Sequence, residues 1–154
     1  MLRRLMPIAA TLRRRLLALL GRDTRGVKVL AFDRAARVLL VRHTYGRGDL
    51  YMLPGGGIAR GERPEQAARR ELREETGCHA IELALIGRYE SQPDGRRDTI
   101  FLYRALTDDT PVPDGRELAE ATFVRTDELP PATSPATRRR VEEWLGVRAR
   151  GTCW

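Results

Sequence analysis

Cysteine is scarce in this sequence: Cys78 and Cys153 are the only two among 154 residues. Two cysteines build no disulfide framework, and neither stands in a CxxC or Cys/His zinc pattern. A reducing cytoplasm is the compartment that such usage suits. Lysine is scarcer still, since Lys28 is the only one among 28 basic residues. Long apolar runs are also missing. Near the start the longest, Leu16 to Leu20, falls short of the ~20 apolar residues that a spanning helix needs. Arg13-Arg14-Arg15 would interrupt any signal-peptide core, and no good small-residue cleavage site follows it. No internal repeat or low-complexity segment stands out, and no Ser/His/Asp triad calls for explanation.

What is present fits one globular domain. Domains commonly run to about 100–200 residues, and a chain of this size buries roughly 68–70% of its unfolded surface. Hydrophobic residues make up 42% and charged residues 32%, a balance that separates the chain from disordered sequences. The net charge is +7, carried almost entirely by arginine. Such an excess suits anionic substrates or nucleic acid, or else a solvated surface. The arginines are spread along the chain, which favours the solvated surface.

Three parts are expected. Residues 1–25 hold a basic amphipathic helix and a linker, residues 26–145 the main domain, and residues 146–154 a tail. In the first part Leu2, Leu5, Ala9, Leu12, Leu16 and Leu19 recur at spacings of three and four, one face of a helix that Gly21 would stop. Packing on the domain itself, a homodimer contact and an anionic membrane surface are three readings of that face. Val27 to Phe32 and Arg37 to Arg42 read as a hairpin about the turn Asp33 to Ala36. Leu50 to Leu53 is a short apolar stretch ended by Pro54 and three glycines. Ile81 to Tyr89 and Thr99 to Leu106 read as strands joined by the polar turn Gln92 to Asp98, and Ala121 to Arg125 as another. Thr133-Ser134-Pro135 caps a last helix that runs to about Leu145.

The densest chemistry lies between Gly56 and Gly77. Pro64 opens a helix at a favoured first-turn position and Gly77 closes it. On that helix Glu71, Glu74 and Glu75 stand at i, i+3 and i+4, so they project from one face, with about 5–6 Å between β-carbons. Three like charges that close are costly unless cations compensate. Arg70 can pair with Glu74 one turn on, and a hard divalent cation can satisfy the rest. Oxygen ligands with positions open to substrate phosphates are what Mg²⁺ prefers. Gly55, Gly56 and Gly57 carry no side chains, so their backbone can approach a metal or a phosphate closely. Glu62, just ahead of the helix, can fold back onto the same cluster. A single glutamate here would be read as part of a solvated face; the loop, the capped helix and the carboxylate spacing together point to a site.

These residues resemble the Nudix box, whose pattern is G, five residues, E, seven residues, then R-E-U-x-E-E-x-G-U with U aliphatic. Gly56, Glu62, Arg70, Glu71, Leu72, Glu74, Glu75 and Gly77 match it, and Cys78 departs from it at the final U. Tyr51-Met52-Leu53-Pro54 also resembles the family, with Tyr51 where Trp is frequent. The resemblance implies an α/β/α sandwich on a mixed sheet and Mg²⁺- or Mn²⁺-dependent hydrolysis of a diphosphate linkage. It implies Glu74 and Glu75 as main metal ligands, helped by the Gly56 carbonyl and supported by Glu62. It makes Glu71 the base or a further ligand, and Arg70 the residue that orients the carboxylates.

Outside the box the signals are weaker. Many family members add one more carboxylate, for which Glu117 and Glu120 are candidates and Glu90 a lesser one. Ser91-Gln92-Pro93 lies where some members carry specificity motifs. A proline at that distance resembles ADP-ribose pyrophosphatases, although Asp94-Gly95-Arg96-Arg97 departs from the motif of NADH diphosphatases. Arg96 and Tyr51 are substrate-contact candidates, and His43 and Tyr45 border the glycine loop. His79 reads as a surface or packing residue. The expected substrate is a small nucleoside diphosphate derivative, with a lean to ADP-ribose or a nucleotide sugar. A nucleoside triphosphate or a 5′-capped RNA is the alternative, and a nucleotide sensor without turnover is a reading of another class. No stable nucleic-acid complex is expected.

Overall fold

A computed structural model describes residues 24–44, 48–92, 97–113 and 117–154. The amphipathic segment at residues 2–20 lies outside the described residues, as do Tyr45, Pro93 and Arg96.

One mixed sheet holds six strands: β1 (Thr24–Phe32), β2 (Val38–His43), β3 (Tyr51–Met52), β4 (Glu82–Ser91), β5 (Asp98–Leu106) and β6 (Leu118–Val124). Their order is β3-β2-β1-β5-β4, with β6 paired to β2. Among the described residues two helices pack on the sheet, α1 (Pro64–Thr76) and α2 (Pro135–Trp144).

Side chains alternate along β1, and the alternation builds two cores. Val27, Val29 and Ala31 join Ala67, Ala68 and Leu72 of α1 on one face. Leu30 and Phe32 join Val141 of α2 on the other. Each fully buried aliphatic side chain contributes about 1.5–3 kcal/mol, so the sheet is held as the middle of three layers.

The expected hairpin of β1 and β2 forms only at its turn. Asp33 accepts from the Ala35 and Arg37 backbone N–H groups at 3.0 and 2.8 Å, and Phe32 pairs with Val38. Beyond that point β1 runs parallel to β5 from Thr24↔Asp98 to Phe32↔Leu106. The segment after β3 takes the other side of β1: the Val29 and Val27 N–H groups donate to Pro54 and Gly56 at 3.0 and 2.9 Å. This zipper carries the glycine loop from the sheet to the start of α1. The residues read as a tail also pack. Glu90 N–H donates to Thr152 and Trp154 N–H to Glu90, both at 2.9 Å, and the Trp154 ring lies 5.8 Å from that of Tyr89.

Candidate active site

Helix α1 starts and stops as its sequence dictates. Pro64 needs no N–H partner in the first turn, and the Arg63 N–H donates to Gln66 Oε1 at 3.0 Å. Gly77 ends the helix with φ 74°, left-handed geometry that favours glycine. The sheet-facing stripe is Ala67, Ala68, Glu71, Leu72 and Thr76. An acid therefore stands inside an otherwise small and apolar face.

The three carboxylates of α1 differ in depth. Glu71 is 2% exposed, Glu75 is half-buried, and the Glu74 side chain is 53% exposed. Arg70 gathers the cluster. Its guanidinium donates to both oxygens of Glu62 at 2.8 and 2.9 Å, to Glu71 at 2.7 Å, to Glu74 at 3.2 Å and to the Gly57 carbonyl at 3.0 Å. The Glu62 hydrogen bonds, helped by Glu71 and opposed by burial, raise the Arg70 pKa further. Glu62 does fold back, and it also accepts from the Ala59 N–H at 2.8 Å.

Glu75 reaches the glycine loop and accepts from the Gly55 N–H at 2.9 Å. Gly55 has φ 143°, and a β-carbon there would stand 2.2 Å from the Val27 carbonyl. Only glycine fits that close approach. Lys28 reaches the same loop from β1, donating to Leu53 O at 2.9 Å and Gly55 O at 3.4 Å. Burial depresses its pKa against the opposing pull of Glu75 and Glu71. The sequence offered one signal for Lys28, a lone cation in an apolar strand.

Among the described residues, no three His, Cys, Asp or Glu side chains converge tightly enough to hold an ion in this arrangement. The reason is visible in Arg70, which spreads Glu62, Glu71 and Glu74 about its own positive charge. The donor set nevertheless suits a hard cation. It is all oxygen, it is already organised around a cation, and it lies against backbone carbonyls. The Gly56 carbonyl accepts from Val27, which leaves its second lone pair for a further contact.

The other candidates sit elsewhere. The Tyr51 hydroxyl donates to Glu120 at 2.8 Å, and Arg42 reaches the same oxygen at 3.4 Å. That hydrogen bond to Glu120 raises the Tyr51 pKa. These three form a polar group where β2, β3 and β6 meet. The Glu117 carbonyl accepts from the Thr44 N–H at 3.0 Å. Glu90 holds Arg88 at 3.0 Å on the far strand β4. His43 ends β2, and His79 pairs with Asp109 at the end of α1. Cys78, the departure at the box's last position, is fully buried in the core under α1.

A mixed sheet between helices, with a glycine loop feeding a carboxylate-bearing helix, is the arrangement that the resemblance at Gly56 to Gly77 implies. Residues 22–145 match the NUDIX domain, and the chain belongs to that family. A candidate 8-oxo-dGTP diphosphatase of Bacillus subtilis is 32% identical over 123 residues, 79% of each chain. An NAD-capped RNA hydrolase of Citrobacter koseri is 33% identical over 77% of this chain, which spans 47% of that relative's length. In fold, the MutT NUDIX hydrolase of Burkholderia pseudomallei superposes with a TM-score of 0.70 at 24% identity, over 79% of this chain and 97% of its own.

Proposed function

We propose that this Nudix hydrolase cuts a diphosphate linkage in a nucleoside triphosphate or a closely related nucleotide, using Mg²⁺ or Mn²⁺. The observation that carries the reading is the cluster of Glu62, Glu71 and Glu74 around Arg70, with Glu75 bonded to the loop at Gly55. Glu74, Glu75 and the Gly56 carbonyl would hold the metal, with Glu62 in support. When bound, such a cation neutralises the diphosphate and acidifies a water. Glu71 takes the proton of the attacking water; its burial removes competing solvent. The water oxygen bonds to phosphorus, the bridging P–O bond breaks, and the second phosphate leaves with the bridging oxygen. Arg70 keeps the carboxylates oriented, and the loop amides and carbonyls fix the approach. Most of the rate comes from positioning and charge stabilisation.

The triphosphate class leads because the match to the Bacillus subtilis relative, 32% identical, covers 79% of both chains. ADP-ribose or a nucleotide sugar is the second class, on the resemblance at Ser91-Gln92-Pro93. A sensor without turnover has no need of intact Glu71, Glu74 and Glu75. Incubation with Mg²⁺ or Mn²⁺ and a panel of nucleoside triphosphates, ADP-ribose and nucleotide sugars tests the reading. Release of nucleoside monophosphate and pyrophosphate from a triphosphate is expected; no turnover of any compound would favour the sensor.

A further inference from the structure

Lys28 is the chain's single lysine, and it stands in a strand whose next residues are apolar. Alternation along β1 sets it in line with Leu30 and Phe32, on the face of the sheet that α2 covers. From that face its Nζ donates to two carbonyls of the glycine loop, Leu53 O at 2.9 Å and Gly55 O at 3.4 Å. We infer that Lys28 is a positioning residue for the cation site: it fixes the peptide that joins Gly55 to Gly56, and with it the direction in which the Gly56 carbonyl meets an ion shared with Glu74 and Glu75. The inference rests on the metal-dependent reading above and extends it to a residue outside the box.

Three observations carry it. The first is the freedom of the loop. Gly55 sits at φ 143° and is followed by Gly56 and Gly57. Backbone without side chains has the most conformations open to it, so a fixed course must be imposed from outside. The β1 backbone holds the residues on either side of Gly55, since the Val29 and Val27 N–H groups donate to Pro54 and Gly56. Gly55 itself is held by side chains.

The second is the direction of those side chains. Glu75 comes from α1 and accepts from the Gly55 N–H at 2.9 Å. Lys28 comes from the α2 face and donates to the Gly55 carbonyl. The two polar groups of one glycine are thus gripped from the two faces of the sheet, and one of the grips is an expected metal ligand.

The third is the chemistry of the side chain. An ammonium has three donors on a flexible stem, which suits two carbonyls that stand two residues apart. Glu75 and Glu71 are also near enough to act on its charge. A fixed positive charge beside a cation site opposes the ion, whereas a fixed carbonyl favours it. The two effects have opposite signs, so substitution separates them.

The test compares the wild type with Lys28→Met, which removes donors and charge, and Lys28→Gln, which removes the charge and keeps N–H donors. Circular dichroism confirms the fold of each. In the metal-free protein, hydrogen exchange at the Gly55 amide should rise about tenfold in Lys28→Met. Calorimetry with Mn²⁺ and no nucleotide should show affinity lower by about tenfold in Lys28→Met, the smaller end of what such supporting residues contribute. Lys28→Gln should bind Mn²⁺ at least about threefold more tightly than Lys28→Met. In turnover, the metal concentration for half-maximal rate should rise in Lys28→Met, with the nucleotide KM at saturating metal unchanged. Lys28→Met that binds Mn²⁺ as tightly as the wild type or more so, or Lys28→Gln as weak as Lys28→Met, would overturn the inference and leave the diphosphatase reading intact. A wild type that binds no Mn²⁺ would contradict the metal-dependent reading instead, and unchanged exchange at Gly55 would still overturn the hold of Lys28 on the loop.

Discussion

At the scale of single residues, Arg70 has the most contacts to lose. It neutralises Glu71, which is buried, and it bridges Glu62 to the Gly57 carbonyl. Arg70→Ala takes a charged hydrogen-bond donor away from the buried Glu71 carboxylate, a change that costs about 1–3 kcal/mol. A lowered thermal midpoint is therefore expected, along with loss of most turnover. Added Mg²⁺ should recover part of the midpoint, because a cation can replace the missing charge; a variant as stable as the wild type would contradict the role given to Arg70. The two thiols make a second residue-scale test. Burial pushes the Cys78 pKa up, whereas Cys153 is exposed. One thiol should react with an aromatic disulfide reagent in the native state and two after denaturation, read by absorbance.

At the scale of elements, the turn between β1 and β2 has a pH signature. Burial raises the Asp33 pKa, but hydrogen bonds from the Arg37 backbone and side chain and from Ala35 outweigh it, so the net shift is downward from 3.8. A depressed carboxyl contributes stability above its unfolded value and loses it as pH falls through the folded one. Asp33→Asn keeps an acceptor for the two N–H groups and removes the charge. It should cost about 0.5–1 kcal/mol near pH 7, and the gap to the wild type should close below pH 3.8 in denaturant melts. A gap that persists in acid would assign the effect to the turn's shape.

The elements also show what could be read from sequence. Helix α1 was legible because Pro64 and Gly77 are local signals that mark its two ends. The carboxylate cluster was legible for the same reason, since one helix and one loop carry it. The parallel pairing of β1 with β5 was not, because it joins residues more than seventy positions apart. The contacts of Glu120 with Tyr51 and Arg42 were not legible either, because those partners come from two other strands.

For the whole molecule, the sheet has a division of labour. Its two cores fix α1 and α2 on opposite faces. The acidic cluster stands beside the glycine loop that runs along β1, inside a chain whose net charge is +7. Among the described residues, no helix is long and apolar enough to cross a membrane. Metal binding should be visible in global stability, since a ligand held only by the folded state at a hundredfold excess over Kd adds about 2.7 kcal/mol. For a chain of this length that is about 5–10 °C in Tm. Scanning calorimetry with saturating Mg²⁺ should show such a rise in the wild type and little in Glu75→Gln.

The most direct test of the account pairs turnover with that same variant. With Mg²⁺ or Mn²⁺ and a nucleoside triphosphate, release of nucleoside monophosphate is followed for the wild type and for Glu75→Gln, with circular dichroism on both. The account predicts turnover by the wild type, and a loss of at least about a hundredfold in a variant that keeps its fold, the size seen when a charge-stabilising group is removed. Full activity in folded Glu75→Gln would contradict it.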